Sequence, residues 1–200
     1  MCGIAGEIDL SKKVIENKSY LSILAHRGPH NSKKLSINDK ICLYHTRLKI
    51  IDLSDDSNQP MVSEDKRFVI CYNGELYNYL EIKKKLEDKG YKFQTNGDTE
   101  VFLKGFIEFG KNFFKLANGI FAVSIYDKKN KLLFISRDFV GVKPLYYFLE
   151  KTSLIFSSEI KAIVSNMKQK VKLNKEVLNE YLYYKYVSGK DTLVKNINIL

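Results

Sequence analysis

Small and apolar residues open the chain. Residues 2–8 read CGIAGEI, a strand in which Gly3 and Gly6 predict close backbone approach. Residues 17–25 are weakly helical. Residues 41–45 and 48–51 carry strand-like apolar runs, and 52–60 form a polar loop rich in Ser, Asp and Asn. The continuous apolar run at 68–72 predicts a buried strand. Asn78 and Glu81 have the spacing of a helix N-cap pair. Tyr79, Ile82 and Leu86 then share one face, and Gly90 marks the stop. A second helix over 99–109 places Phe102, Phe106 and Phe109 on one side. Strand-like runs follow at 119–126, 131–136, 145–148 and 154–157, the first two joined by a turn at 127–130. A further helix starts at 158–164. The pattern is that of an α+β protein, and two sheets covered by helices is a natural way to close it.

Beyond residue 165 the chain becomes Lys- and Asn-rich, with one Tyr-rich amphipathic stretch at 177–186. Residues 1–165 therefore read as one domain and 166–200 as a linker or the start of another module. Apolar residues make up 44% and charged residues 28%, ordinary for a globular protein. No apolar run approaches the length of a membrane span. The opening MCGIAGEIDL has no basic n-region and carries Glu7 and Asp9, which argues against a secretory signal and makes the cytoplasm the expected location. The net charge of +10 would suit an anionic partner. The basic residues are almost all Lys spread along the chain, however, with Arg only at Arg27, Arg47, Arg67 and Arg137. That is a composition bias and not the clustered Arg and aromatic surface of a nucleic-acid reader.

The cysteines, Cys2, Cys42 and Cys71, are odd in number and widely spaced, so they form neither a disulfide framework nor a metal motif. Cys42 and Cys71 sit in strand-like runs as small core residues. Cys2 differs because it becomes the N-terminus once the initiator Met is removed. A free α-amine titrates at about 7.7–8.0 and a thiol at about 8.5, so the amine can act as base for its own thiol near neutral pH. Alone, a cysteine at position 2 says little. Its context says more: MCGIAG is followed in order by HRGP (26–29), HTRLKIIDLS (45–54), QPM (59–61), YNGELYN (72–78), GDTEV (97–101), NGIFAVSIYD (118–127), SRDFVGVKPLYY (136–147) and SSEIKA (157–162). This ordered set closely resembles the class II glutamine amidotransferase domain of asparagine synthetases, over nearly the whole chain.

The resemblance implies an N-terminal-nucleophile fold, a four-layer αββα sandwich with two antiparallel sheets between helical layers. It implies that Cys2 attacks the side-chain amide of L-glutamine, that ammonia leaves, and that water resolves a glutamyl thioester. Asn73 and Gly74 match the family's oxyanion donors. Arg47 matches its carboxylate binder, Asp98 its ammonium binder, and Glu75 a residue near the substrate amide. Two of these have bland alternatives: Asn73-Gly74 is also a hairpin signal, though no second strand of useful length follows, and Asp98 is also well placed to cap a helix. Arg137 and Asp138 read as a structural pair. His26 and His45 lack partners at ligand spacing, so no metal is expected. His30 stands where the family usually has Asp, and Thr46 where it often has a charged residue. The family's full enzyme carries a second domain that uses ATP and magnesium to activate aspartate. This chain has neither GxxxxGK[ST] nor an SGG run, so no cofactor is expected in it. The synthetase domain is expected in cis or in trans, and the resemblance leaves room for a homodimer of the full enzyme. A non-catalytic scaffold, or a glutaminase feeding another acceptor, is the alternative.

Overall fold

A computed structural model describes residues 1–14 and 19–200. In chain order its elements are β1 (Gly3–Asp9), α1 (Ser19–Leu24), β2 (Asn31–Asn38), β3 (Ile41–Arg47), β4 (Met61–Val62), β5 (Phe68–Leu76), α2 (Tyr79–Glu87), α3 (Asp98–Phe109), α4 (Phe113–Leu116), β6 (Gly119–Asp127), β7 (Leu132–Arg137), β8 (Tyr146–Leu149), β9 (Ser153–Ser157), α5 (Ile160–Val164), α6 (Leu178–Tyr184) and β10 (Ile197–Ile199). They build two antiparallel sheets, ordered β10-β8-β9-β1-β3-β2 and β4-β5-β6-β7. No helix among the described residues is long and apolar enough to cross a membrane.

Side-chain alternation along the strands sorts the interior into three apolar layers. On β5, Phe68, Ile70 and Tyr72 join Phe102, Phe106, Ile82 and Leu86 beneath α2 and α3. Val69 and Cys71 face the other way and meet Ile4, Leu43 and Phe156 between the two sheets. Ala5, Cys42 and Tyr44 point outward from the first sheet to Tyr20 and Leu24 of α1 and Ile163 of α5. Helices, sheet, sheet, helices is the expected four-layer αββα sandwich.

The same parity positions the chemistry. Cys2 lies in phase with Ile4, Arg47 with Leu43, and Asn73 with Val69 and Cys71, so all three belong to the inter-sheet face, at strand ends where the gap opens. β1 can lie this deep because its first residue is glycine: a Cβ on Gly3 would stand 2.6 Å from Thr46 Oγ1. Asn73-Gly74 makes no turn, since β5 runs straight through it in register with Ala122 and Phe121 of β6.

Several expectations need correcting. Residues 48–51 are not a strand. β3 ends at Arg47, and beyond it the backbone N–H of Leu48 donates to Cys2 Sγ and that of Lys49 to His30 Nδ1. Their apolar side chains face the cleft described below instead of a core. Asn78 does not cap α2 through its side chain; its amide bridges Leu116 O and the N–H of Asn118. Asp98 is likewise no side-chain cap, because Gly97 precedes α3 and the carboxylate is used elsewhere. Arg137 and Asp138 do not pair with each other: Arg137 ends β7 and Asp138 opens the loop that follows it. Arg137 donates to Gly141 O and Leu200 O, and Asp138 accepts from Phe121, Val142 and Lys143. The expected helix over 17–25 is seen from Ser19; its first two positions lie outside the described residues. Within 166–200, read as a linker or the start of another module, Ile197–Ile199 forms β10, which pairs with β8. β2 went unpredicted, as its NSKKLSIN reads polar.

His45 lies wholly buried between the sheets, its Nε2 3.2 Å from Tyr72 O and its Nδ1 without a partner among the described residues. The carbonyl acceptor assigns the neutral tautomer with the proton on Nε2. Burial, with some help from Arg47, lowers its pKa to about 4. Between the ordinary 6.5 and that value, the unfolded chain binds a proton that the folded chain refuses. Stability should therefore fall as pH drops through this window, by on the order of 3 kcal/mol. His45→Gln can still donate to Tyr72 O but cannot titrate, so urea unfolding from pH 6.5 to 4 should show a flatter pH dependence for it. Parallel profiles for the two proteins would refute the assignment.

Candidate active site

A cleft of about 590 Å³, partly open to solvent, is lined by Cys2, Arg47, Asn73, Gly74, Glu75 and Asp98 among others. All six residues singled out in the sequence therefore come together, from the residue before β1, from β3 and β5, and from the start of α3.

Cys2 is held mainly through its backbone. Its carbonyl accepts from Arg27 Nε at 3.0 Å, and Arg27 is fixed by Glu159 at 3.0 Å, which His26 also contacts at 2.8 Å. Two residues on, Ile4 N donates to Ser158 Oγ and Ser158 N to Ile4 O. The HRGP and SSEIKA motifs thus clamp the first strand from both sides. The thiol sits between Leu48 N (3.4 Å) and Leu48 O (3.7 Å). Burial pushes it above the ordinary thiol range. The Leu48 contact, the N-terminal ammonium and Arg47 pull it back, and Asp98 pushes it up further. Met1 precedes it and lines the same cleft, half exposed.

The opposite wall is the free edge of β5. β4 pairs only as far as Met61 with Ile70. Beyond that, every second residue of β5 turns its peptide groups to an edge with no strand beside it. At Tyr72, side chains replace the missing strand: Gln59 Oε1 accepts its N–H at 2.6 Å and His45 donates to its carbonyl. At Leu76, Asp98 Oδ2 accepts the N–H at 2.9 Å. Gly74 lies between them in the same phase, and its N–H projects into the cleft. Its lack of a side chain is required, since a Cβ there would meet Ile120 O at 2.5 Å. Beside it, the Nδ2 of Asn73 is buried with no acceptor among the described residues. A buried donor left unpaired costs about 1–3 kcal/mol, so such groups are rare away from functional sites.

The far end carries one cation and one anion. Arg47 gives Nη1 to Ser54 O (2.5 Å) and Asn58 Oδ1 (2.8 Å), and Nη2 to Asp52 O. A guanidinium has five N–H groups, so two remain for a bidentate carboxylate. The loop that seats it is held by Asp52, whose carboxylate accepts from Ser54, Ser57 and Asn96. Burial opposes ionisation of Asp52, but these hydrogen bonds outweigh it and keep the acid below its usual range. Asp98 is buried and tied to Leu76 N and Tyr72 OH through Oδ2. Burial raises its pKa, the two donors lower it, and Glu75 adds to the rise. A bound ammonium would favour its ionised form. Glu75 is half-exposed on the cleft wall.

Sequence reasoning passed over Gln59, Tyr72, Asp52 and Lys143, all of which line the cleft. All four lie inside quoted motifs; at Gln59 and Lys143 a long polar side chain between residues that turn inward was the available signal. Of the departures from the family pattern, Thr46 donates to Leu24 O at 3.0 Å, and His30 accepts from Lys49 N at 3.0 Å. Both shape the turn that presents Arg47 and Leu48. His26 and His45 bind protein partners, and among the described residues no three His, Cys, Asp or Glu side chains gather as metal ligands.

Two antiparallel sheets lie between helices, with a cysteine at the mouth of the inter-sheet gap. The glutamine phosphoribosylpyrophosphate amidotransferase of B. subtilis, solved with ADP and GMP, shares this fold at a TM-score of 0.70 and 21% identity, over 82% of this chain and 43% of that one. The chain belongs to the glutamine amidotransferase domain family, which it matches over residues 1–200. It is 40% identical to a putative glutamine-hydrolysing asparagine synthetase 2 of Methanocaldococcus jannaschii, over 98% of this chain and 42% of that protein. It is 37% identical to asparagine synthetase [glutamine-hydrolyzing] 3 of Bacillus subtilis, over 90% of this chain and 30% of that protein. The chain thus spans less than half the length of these relatives.

The burial pattern predicts selective thiol chemistry. Cys42 and Cys71 are 1% and 0% exposed, whereas Cys2 opens to the cleft. Iodoacetamide should modify Cys2 alone in the folded protein and all three thiols after denaturation, as read by peptide mass mapping. With Met1 attached, the rate at Cys2 should still be rising at a pH of about 8.5, because burial raises its pKa. Labelling of Cys42 or Cys71 in the native state would contradict the packing.

Proposed function

We propose that this chain hydrolyses L-glutamine to glutamate and ammonia through a Cys2 thioester, and that the ammonia serves a synthetase segment that amidates aspartate. The observation that carries the reading is the unpaired Asn73 Nδ2 beside the edge N–H of Gly74, both in the cleft that holds the Cys2 thiol. Two fixed donors facing a nucleophile are what a tetrahedral oxyanion needs.

Glutamine lies with its α-carboxylate on Arg47 and its α-ammonium on Asp98. Removal of Met1 frees the amine of Cys2. The amine takes the thiol proton as sulfur attacks the side-chain carbonyl carbon, and the oxyanion rests on Asn73 and Gly74. The same amine passes its proton to the departing nitrogen, the C–N bond breaks, and ammonia leaves a thioester. Water then attacks, its proton goes to the amine, and the C–S bond breaks to give glutamate and the thiol. ATP and magnesium belong in this reading to the synthetase segment, and the cytoplasm is its place of action.

Cys2→Ala should abolish glutamine hydrolysis and leave the circular dichroism spectrum unchanged, whereas Cys42→Ala and Cys71→Ala should keep the chemistry. Hydrolysis at the parent rate by Cys2→Ala would sink the mechanism. The N-terminus is an equally direct test: intact mass should show Met1 removed in active protein.

Arg47→Ala should mainly raise KM, because the carboxylate contact exists in the ground state. Asn73→Ala should mainly lower kcat, by about 10²–10³ as for other oxyanion donors. The reverse pattern would overturn the two roles. Incubated with glutamine, aspartate, ATP and magnesium, the 200-residue chain should release ammonia and form no asparagine. Asparagine among the products would place aspartate activation within it.

A further inference from the structure

Gln59 is buried on the cleft wall with both ends of its amide engaged. Its Oε1 accepts the Tyr72 N–H at 2.6 Å, and its Nε2 donates to Thr99 Oγ1 at 3.2 Å. The partners dictate this orientation: a backbone N–H must meet an acceptor, so the oxygen faces Tyr72 and the nitrogen is left for Thr99. In the register that pairs Met61 with Ile70, Gln59 falls opposite Tyr72. Pro60 lies between Gln59 and β4 and has no N–H to continue the ladder, so a side chain takes the place of the strand. Gln59 thus spans from the residue before Asn73 to the residue after Asp98.

Those two neighbours ride on different elements, Asn73 and Gly74 on β5 and Asp98 on the first turn of α3. Asp98 itself holds α3 to β5, its Oδ2 accepting from Tyr72 OH at 3.2 Å and Leu76 N at 2.9 Å. A substrate ammonium would draw on that same carboxylate. The Gln59 bridge does not use the Asp98 carboxylate, so it holds the two elements at one spacing whether or not ligand is bound. Gln59 also follows directly on loop 52–58, which seats Arg47, and Asp52 of that loop accepts from Asn96 N just ahead of α3. The loop, the strand and the helix that carry the binding groups are joined around it.

Resting on the glutaminase reading above, we propose that Gln59 is a positioning residue: it fixes the separation between the oxyanion donors of Asn73 and Gly74 and the carboxylate of Asp98, and so makes the cleft selective for the length of glutamine. Asparagine carries the same polar ends one methylene shorter. Held by Arg47 and Asp98, its amide carbon falls short of the donors and the thiol. A fixed separation rejects it, and a slack one lets the two ends approach. One methylene is typically worth about 10–200-fold in discrimination.

The test is steady-state hydrolysis of glutamine and of asparagine by full-length protein carrying Gln59→Leu, Thr99→Val, Thr99→Ser or the Gln59→Leu/Thr99→Val pair, with thermal unfolding recorded for each. Thr99→Val removes the acceptor and leaves the Tyr72 contact. KM for glutamine should rise about threefold to tenfold, and the preference for glutamine over asparagine, as a ratio of kcat/KM values, should shrink by a similar factor. Thr99→Ser keeps a hydroxyl and should restore both. Gln59→Leu also frees the Tyr72 N–H beside Asn73 and should lower kcat in addition. The pair should be no worse than Gln59→Leu alone, because the two residues act through one contact. Should Gln59→Leu fail to fold, the Thr99 variants carry the test. An unchanged preference in folded Thr99→Val, no recovery in Thr99→Ser, additive losses in the pair, or asparagine left intact by every variant would each overturn the role of Gln59. A parent that leaves glutamine intact would instead be failure of the glutaminase reading.

Discussion

The site depends on a strand that outlives its neighbour. β4 pairs with β5 for two residues, and β5 continues to Leu76 with its outer edge bare. Backbone N–H and C=O groups buried without partners are costly, so each position along that edge must be answered by something. Gln59 and His45 answer at Tyr72, and Asp98 answers at Leu76. Gly74 between them is left to the cleft. One short strand thus creates both the donor that an oxyanion needs and the requirement that fixes Gln59, His45 and Asp98 around it.

The electrostatics follow from this frame. Asp98 is brought to the cleft because its carboxylate substitutes for a missing strand, and the same burial that makes it useful raises its pKa. Arg47 arrives by a different route, at the end of a strand whose alternation points it between the sheets, and a polar loop consumes three of its N–H groups without cancelling its charge. The cleft therefore carries a guanidinium and a carboxyl group at its far end, a thiol whose pKa is raised by burial at its mouth, and donors with unspent hydrogens between them. Such a surface is poorly matched to an uncharged ligand and well matched to a zwitterion with a polar side chain.

The layers were largely legible from periodicity. Phe102 and Phe106 at helical spacing and the apolar run of β5 lie where their patterns place them, and Cys42 and Cys71 are core residues. β2 was not legible, because an edge strand needs only Leu35 and Ile37 facing inward and can otherwise read NSKKLSIN. Residues 48–51 misled in the opposite sense: their apolar character builds a cleft wall, and a binding wall cannot be told from a core strand by hydrophobicity alone. β4 and β10 are too short to carry a period. The six candidate site residues were found through ordered motifs, since nothing in their local spacing shows that positions 2, 47, 73 and 98 meet. That convergence is a product of the two-sheet topology.

What holds the nucleophile is as informative as the nucleophile itself. A side chain can be positioned by packing its neighbours, but an α-amine at a chain end can be positioned only through the backbone that carries it. Here Arg27 grips the carbonyl of Cys2, Glu159 grips Arg27, and Ser158 bonds both ways with Ile4, so the first peptide groups are fixed by residues far away in sequence. A chain end usually frays unless it is tied down. This one is inserted between β9 and β3, in the middle of a sheet, with Gly3 thin enough to pass Thr46. An architecture that only needed a buried cysteine could have placed it anywhere on β1. One that fixes the carbonyl of Cys2 and the peptide groups that follow it also limits where the amine of residue 2 can lie.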